Sequence, residues 1–319
     1  MTHDPHAFCL IGCGGSSGSH LLGAMLNNLF RIKSGPELNL FHPPGLYQSE
    51  TFRATFYAYL TRRGPSLPFE IQGYPAYGLR PKHIVDNRSF YGLETHEQEL
   101  AVIDKARGLH DVLDWLREHL VNTHGWAKEF YWIDHTPRNA LAATEVLRFF
   151  PKSRFVHLVR DGRDAITSQY RRFSNARFTE APKIQCFELA WALWAYLESH
   201  ALQAAQEPGY LRVYYEDLVS DPVTQINRVL KHLGFESIDQ ERLDTKAPTS
   251  PEDFDFRQGD RASGWLSSPF SAVNSKSIGR WKKEPLPAAW EELQERPLRF
   301  PGLPETSLKK ILIHHHYDI

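Results

Sequence analysis

Two short stretches carry the residues best suited to gripping anions. The first, FCLIGCGGSSGSHLLGAML at 8–26, drops from an apolar run into glycines and serines and then directly into an amphipathic segment. Backbone N–H groups at a turn that opens a helix seat phosphate or sulfate groups. Three chemistries compete for this turn. A dinucleotide site wants GxGxxG, but after Gly12 and Gly14 the third glycine is replaced by Ser17. A P-loop wants a lysine after its last glycine to reach the β- and γ-phosphates, and Gly18 is followed by Ser19 and His20. The third chemistry is a loop of small hydroxyl residues holding an anion mainly through backbone amides.

The second stretch is RFVHLVRDGRDAITS at 154–168. Arg160 falls where an apolar run ends, Asp161 or Asp164 suits the cap of the helix that follows, and Ser168 lies roughly one turn further along. An arginine fork and a hydroxyl converging at a strand end form a second anion clamp. Two such sites on neighbouring strand ends imply a ligand with two separated anionic groups.

The elements that must position these residues are legible as alternating patterns. Buried strands are predicted at 7–13, 130–136, 154–160 and 211–218, each short and rich in β-branched or aromatic residues. Helical patterns occupy 18–31, 98–121, 138–150, 163–175, 184–205 and 222–233. This alternation predicts an α/β fold with a parallel sheet covered on both faces and ligands beyond the carboxyl ends of the strands. Residues 40–97, rich in Pro, Gly, Tyr and Phe, read as an irregular insertion covering an acceptor pocket. Residues 244–280 are similarly loop-like. No repeat or linker divides the chain, so 1–319 is read as a single domain.

Composition narrows the function classes. A formal net charge of −1 over 319 residues speaks against a nucleic-acid partner, and 41% hydrophobic residues suffice for a sizeable core. Three cysteines (Cys9, Cys13 and Cys186) cannot form a disulfide framework, and no signal peptide or bilayer-length apolar run is present. A soluble, cytoplasmic protein is expected. No HExxH, paired-carboxylate or Cys/His cluster points to a metal. The aromatic stripe FELAWALWAYLESHAL at 187–202 reads as core, and the histidines at 314–316 as a C-terminal tail rather than a metal site.

These motifs resemble those of sulfotransferases that use 3′-phosphoadenylyl sulfate (PAPS). GGSSGSHL at 14–21 looks like that family's 5′-phosphosulfate loop, and LVRDGRDAITS at 158–168 its 3′-phosphate motif. VYYEDLVSDP at 213–222 is similar to the segment lining the nucleotide, SKSIGRWKK at 275–283 to the late loop that closes over it, and FRIKSGPELNLF at 30–41 to the region carrying a catalytic acid after Gly-Pro. The resemblance implies a P-loop-like sulfotransferase fold that transfers a sulfuryl group from PAPS to a small-molecule acceptor, leaving PAP and needing no metal. It implies that Gly15, Ser16, Ser17, Gly18, Ser19 and His20 hold the phosphosulfate, Arg160 and Ser168 the 3′-phosphate, and Tyr215 the adenosine, with Ser277, Gly279 and Arg280 completing the enclosure.

Glu37 in GPEL is the candidate general base, and Phe41 and Leu38 supply partly apolar surroundings. His135 is the alternative base, its tautomer set by Asp134. Lys276 is a candidate donor to the sulfonate or the bridging oxygen. The sequence departs from the family at Ser16, where a basic residue usually stands, and at His135, where a lysine is common before Thr-Pro. Replacement charge is sought in Lys276, His20, His135 or Arg138. An ATP-dependent kinase-like phosphotransferase and a non-catalytic PAP- or nucleotide-binding relative are the alternatives. Tyr47, Phe52, Phe56, Tyr57, Tyr59, Tyr74, Tyr77 and Tyr91 suit a sugar, a lipid or an aromatic alcohol as acceptor, or equally a packed lid. A homodimer stays open.

Overall fold

A computed structural model describes residues 7–27, 29–61, 70–71, 74–75, 90–92, 96–173, 183–243, 275–284 and 290–318. Its centre is a parallel sheet of five strands: β1 (Phe8–Gly12), β2 (Ile32–Ser34), β5 (Tyr131–Asp134), β6 (Arg154–Val159) and β7 (Tyr210–Tyr214), in the order β2-β5-β1-β6-β7. A separate two-stranded antiparallel pair joins β3 (Glu70–Ile71) to β4 (Tyr74–Pro75). In the large sheet the chain leaves β1 toward one side and later returns to place β6 on the other. The crevice at the carboxyl end of β1 is therefore the switch point where such sheets bind ligands.

Alternate residues of the central strands feed two cores. Phe8, Leu10, Trp132 and Phe155 join one, while Cys9, Ile11, Tyr131, Ile133, Val156 and Leu158 join the other. Burial on both faces explains why these strands read as continuous apolar runs. The first face is covered by α2 (Ser49–Thr61), α3 (His96–Lys105), α4 (Leu109–His124), α5 (Ala143–Phe149), α6 (Gly162–Phe173), α7 (Lys183–Gln203), α10 (Trp290–Glu295) and α11 (Leu308–His314). The second is covered by α1 (Ser19–Leu26), α8 (Tyr215–Ser220) and α9 (Pro222–Leu233). Helix α9 shows how local sequence settles an element. Asp221 accepts from Thr224 N, Pro222 starts the first turn, Gly234 ends the helix at φ 83°, and Ile226, Val229, Leu230 and Leu233 are its buried stripe.

Several boundaries differ from the sequence reading. The helix expected over 18–31 stops at Leu26, and β2 follows it. The pattern at 98–121 is two helices, broken at the extended Gly108. The strand expected at 211–218 ends at Tyr214, because Glu216 and Asp217 favour the first turn of α8. The stretch at 138–150 begins as a 3-10 turn, Pro137–Ala142, before α5.

The expected irregular insertion over 40–97 contains α2. There Phe52, Phe56, Tyr59 and Leu60 recur at helical spacing and are buried in the core. Tyr77, the side chain of Tyr74 and residues 244–274 lie outside what is described. Among the described residues, no helix is long and apolar enough to cross a membrane.

Candidate active site

Because all five strands run the same way, the turns after β1, β2, β5, β6 and β7 meet at one edge of the sheet. The turn after β1 is built almost wholly from main chain. Gly14 lies so close to α7 that a Cβ there would sit 2.3 Å from Trp194 Cδ1. Gly18 takes φ 97° with the Tyr215 ring against it, so only glycine fits. As the N-cap of α1, Gly18 has no side chain to cap the first-turn N–H groups. Ser16 holds φ 64°, unusual for a residue with a side chain.

The turn is braced from the protein side. Glu198 Oε1 accepts from Gly14 N at 2.8 Å, Gln169 Nε2 donates to Gly15 O at 2.5 Å, and the buried Ser17 hydroxyl donates to Gly14 O. With Ser17 Oγ committed inside the turn and Ser19 buried, what this turn offers a ligand is largely backbone.

The turn after β6 is built from charge. Arg160, 5% exposed, donates through Nη1 to Ser16 O at 2.8 Å and through Nη2 to Ser277 O at 2.7 Å. Its guanidinium lies 4.6 Å from the Tyr215 ring centroid. Its Nε is buried without a hydrogen-bond partner among the described residues. Arg160 thus ties the glycine turn to the late loop. Asp161 caps α6 by accepting from Arg163 N at 2.9 Å and pairs with the Arg163 side chain. Asp164, the other candidate cap, instead accepts from Gly279 N at 2.7 Å and Trp281 N at 3.0 Å, fastening the late loop to α6. Tyr215 OH and Ser277 Oγ are 2.7 Å apart. Ser168 is half-buried on α6, Lys276 is exposed, and Arg280 lies 3.6 Å from Glu284.

The loop after β2 carries Glu37 and is fixed on both flanks. Leu38 N donates to Asp134 Oδ1 at 3.1 Å and Asn39 N to Thr136 Oγ1 at 3.0 Å. Tyr59 OH donates to Leu38 O at 3.0 Å, and Tyr91 OH to Pro36 O. The Glu37 carboxylate, 15% exposed, lies 3.4 Å from His20 Nε2. His20 in turn meets the His135 ring edge-on at 4.5 Å.

His135 is fully buried, shares a hydrogen bond with Ser34 Oγ through Nδ1 at 2.9 Å, and burial holds its pKa well below the usual imidazole range. The expected tautomer control by Asp134 does not occur. That carboxylate is occupied by Leu38 N, Thr136 and Asn139, and burial raises its pKa to about 6 against their lowering effect. Phe52, Phe56, Tyr59 and Tyr91 are core residues of this region, Tyr47 is half-buried, and Tyr57 lies at the surface.

The structure therefore brings the glycine turn, Arg160, Tyr215, Ser277 and Gly279 together, and sets Glu37 beside His20 at the same edge. Sequence reasoning missed Glu198, Gln169 and Glu216. Glu198 sits in the aromatic-rich stripe at 187–202, where the only signal was that it is one of two carboxylates, Glu188 and Glu198, in an otherwise largely apolar helix.

A sulfotransferase family model matches residues 10–240. Among solved structures, the sulfotransferase domain from the Synechococcus PCC 7002 olefin synthase aligns with a TM-score of 0.55 at 20% identity, covering 100% of this chain and 98% of that one. The sulfotransferase domain from the curacin biosynthetic pathway aligns with a TM-score of 0.58 at 17% identity over 98% of both chains. Identities this low speak to the fold alone, and no curated protein sequence matches. The family model spans most of the chain and includes the turns after β1 and β6, so the chain belongs to the sulfotransferase family.

Proposed function

We propose that this chain moves a sulfuryl group from PAPS to a hydroxyl or amine of a small acceptor by in-line displacement. The observation that carries the reading is Arg160, which stands between the glycine turn and the late loop with a buried Nε–H that no group among the described residues claims. A guanidinium donor left over in such a place suits a phosphate oxygen. The residues fit a donor with two separated anions. The turn from Gly15 to His20 takes the 5′-phosphosulfate, Arg160 and Ser168 take the 3′-phosphate, and Tyr215 contacts the adenosine. Ser277, Gly279 and Arg280 close over it.

When bound, PAPS supplies an electrophilic sulfonyl group and a phosphate leaving group. The chain's own residues then hold charge and move a proton. Glu37 accepts the proton of the attacking hydroxyl or amine at a carboxylate oxygen, and its loop, pinned by Asp134, Thr136, Tyr59 and Tyr91, keeps that oxygen in place. His20 orients the Glu37 carboxylate. His135, sealed behind His20, sets the position of the His20 ring rather than meeting the acceptor. Lys276 adds positive charge from the late loop, in place of the basic residue that Ser16 lacks.

In a thermal-shift comparison PAP is expected to raise the melting temperature and ATP and NAD to leave it unchanged. In label transfer from PAPS to a metabolite pool, Glu37→Gln is expected to lower turnover by about a hundredfold or more, with PAP affinity retained. Stabilisation by ATP in place of PAP would support the phosphotransferase. The left-handed Ser16 in the basic position favours one second reading, a PAP-binding relative without turnover. PAP binding with no label moved by the wild type would establish it.

A further inference from the structure

The histidine run near the chain's end has no tail-like character. His314 and His316 are exposed on diverging sides, whereas His315 is 2% exposed and the φ of 61° at His316 turns Tyr317 back onto the protein. Each of these two inward residues meets one carboxylate, the buried Glu198 or the half-buried Glu216. His157 Nε2 hydrogen-bonds Glu198 Oε2 at 2.9 Å, and His315 Nε2 lies 3.1 Å from the same oxygen, a close electrostatic contact without hydrogen-bond geometry. A carboxylate offers only lone pairs, so the His157 nitrogen bonded to it carries the proton. The other Glu198 oxygen accepts from Gly14 N in the glycine turn. Tyr317 OH donates to Glu216 Oε2 at 2.8 Å, and Glu216 Oε1 accepts from Asp161 N at 3.0 Å, directly after Arg160. The same three-residue segment thus reaches one backbone N–H in each anion-gripping turn, through one carboxylate apiece.

We propose that His315 and Tyr317 are positioning residues for the donor site, which they hold in register by orienting Glu198 against Gly14 and Glu216 against Asp161. The inference rests on the donor reading above and extends it to a segment outside the matched family region. Neither residue touches the nucleotide. Each fixes which lone pair of a bracing carboxylate faces a turn, and the turn's N–H groups follow.

The test uses His315→Leu, His315→Gln and Tyr317→Phe in the full chain, with PAP titrated calorimetrically and backbone amide exchange followed without ligand. Loss of one link is expected to weaken PAP binding about three- to tenfold in His315→Leu and in Tyr317→Phe, as for residues coupled to a site through a packed network. His315→Gln, which keeps a polar N–H group facing Glu198, is expected to recover affinity to within about twofold of wild type. Exchange should quicken at Gly14 in His315→Leu and at Asp161 in Tyr317→Phe. PAP affinity unchanged in both variants overturns the proposal, whatever happens to the melting temperature. If His315→Leu does not fold, Tyr317→Phe, which removes a single oxygen from a half-buried ring, decides alone. A wild-type chain that does not bind PAP overturns the donor reading instead. In that case faster exchange at Gly14 and Asp161 upholds the positioning role, and unchanged exchange ends it.

Discussion

The turns after β1 and β6 solve one problem with opposite materials. Both press on the same indole: a Cβ at Gly14 or at Gly162 would lie 2.3 or 2.7 Å from Trp194. Both hand one backbone N–H to a carboxylate, Gly14 to the buried Glu198 and Asp161 to the half-buried Glu216. Yet the first is glycine and serine with its hydroxyl and carbonyl groups turned onto the protein, while the second is arginine and aspartate. The difference teaches that the first turn borrows its cation. Arg160 belongs to the second turn by sequence but is bonded to Ser16 O of the first and Ser277 O of the late loop, so one guanidinium serves three segments.

If that sharing is real, Arg160→Ala should do the most damage. We expect PAP affinity to fall by about thirtyfold or more, as for truncating one partner of a buried charged contact. A loss below threefold in a calorimetric titration would break the comparison, leaving each turn self-sufficient. Gly14→Ala should act on the first turn alone. Its added methyl meets the Trp194 ring, an overpacking expected to cost about 1–3 kcal/mol in chemical denaturation. Arg160 contacts at Ser277 should survive it. Ser168→Ala, which removes one hydroxyl from α6 beyond the second turn, is expected to cost about fivefold in PAP affinity, the worth of roughly one hydrogen bond.

The two bracing carboxylates should also differ with pH. For Glu198, burial raises the pKa, but the histidines beside it outweigh burial and hold it well below the ordinary value of 4.5. Its stabilisation is present above pH 4.5 and lost as pH falls toward the folded value. For Glu216, burial dominates and the pKa is raised. Its share is present below about pH 4.5 and lost as pH rises through the folded value. In urea titrations, the stability gap between wild type and Glu198→Gln should narrow below pH 4.5, whereas that for Glu216→Gln should move against wild type as pH rises from 4.5. Parallel pH dependences would mean that the two carboxylates share one environment.

Much of this was legible before any coordinates. Strands β1, β5 and β6 announce themselves as short apolar runs, and Asp221, Pro222 and Gly234 bracket α9. The two anion motifs fall where strands end, which is where parallel sheets bind ligands. Strand β2 was hidden because three residues containing Lys33 show no period. Helix α2 was hidden because its stripe is aromatic and lies in a Pro- and Gly-rich setting. The bracing of the site was illegible for a different reason. Glu198 lies 184 positions from Gly14, and Tyr317 lies 101 from Glu216, so no local pattern records those contacts. Asp134 shows the same limit on a smaller scale. It neighbours His135 in sequence, yet its oxygens serve Leu38, Thr136 and Asn139.

In the proposed mechanism, the turns after β1 and β6, joined by Arg160, hold a donor phosphorylated at both ends of its nucleoside. The direct measurement is a calorimetric comparison of PAP with AMP, which carries the same 5′-phosphate but no 3′-phosphate. The account expects PAP to bind at least about tenfold more tightly, a difference of about 1.4 kcal/mol, and Arg160→Ala to erase that preference. Equal affinity for the two nucleotides in the wild type would contradict it.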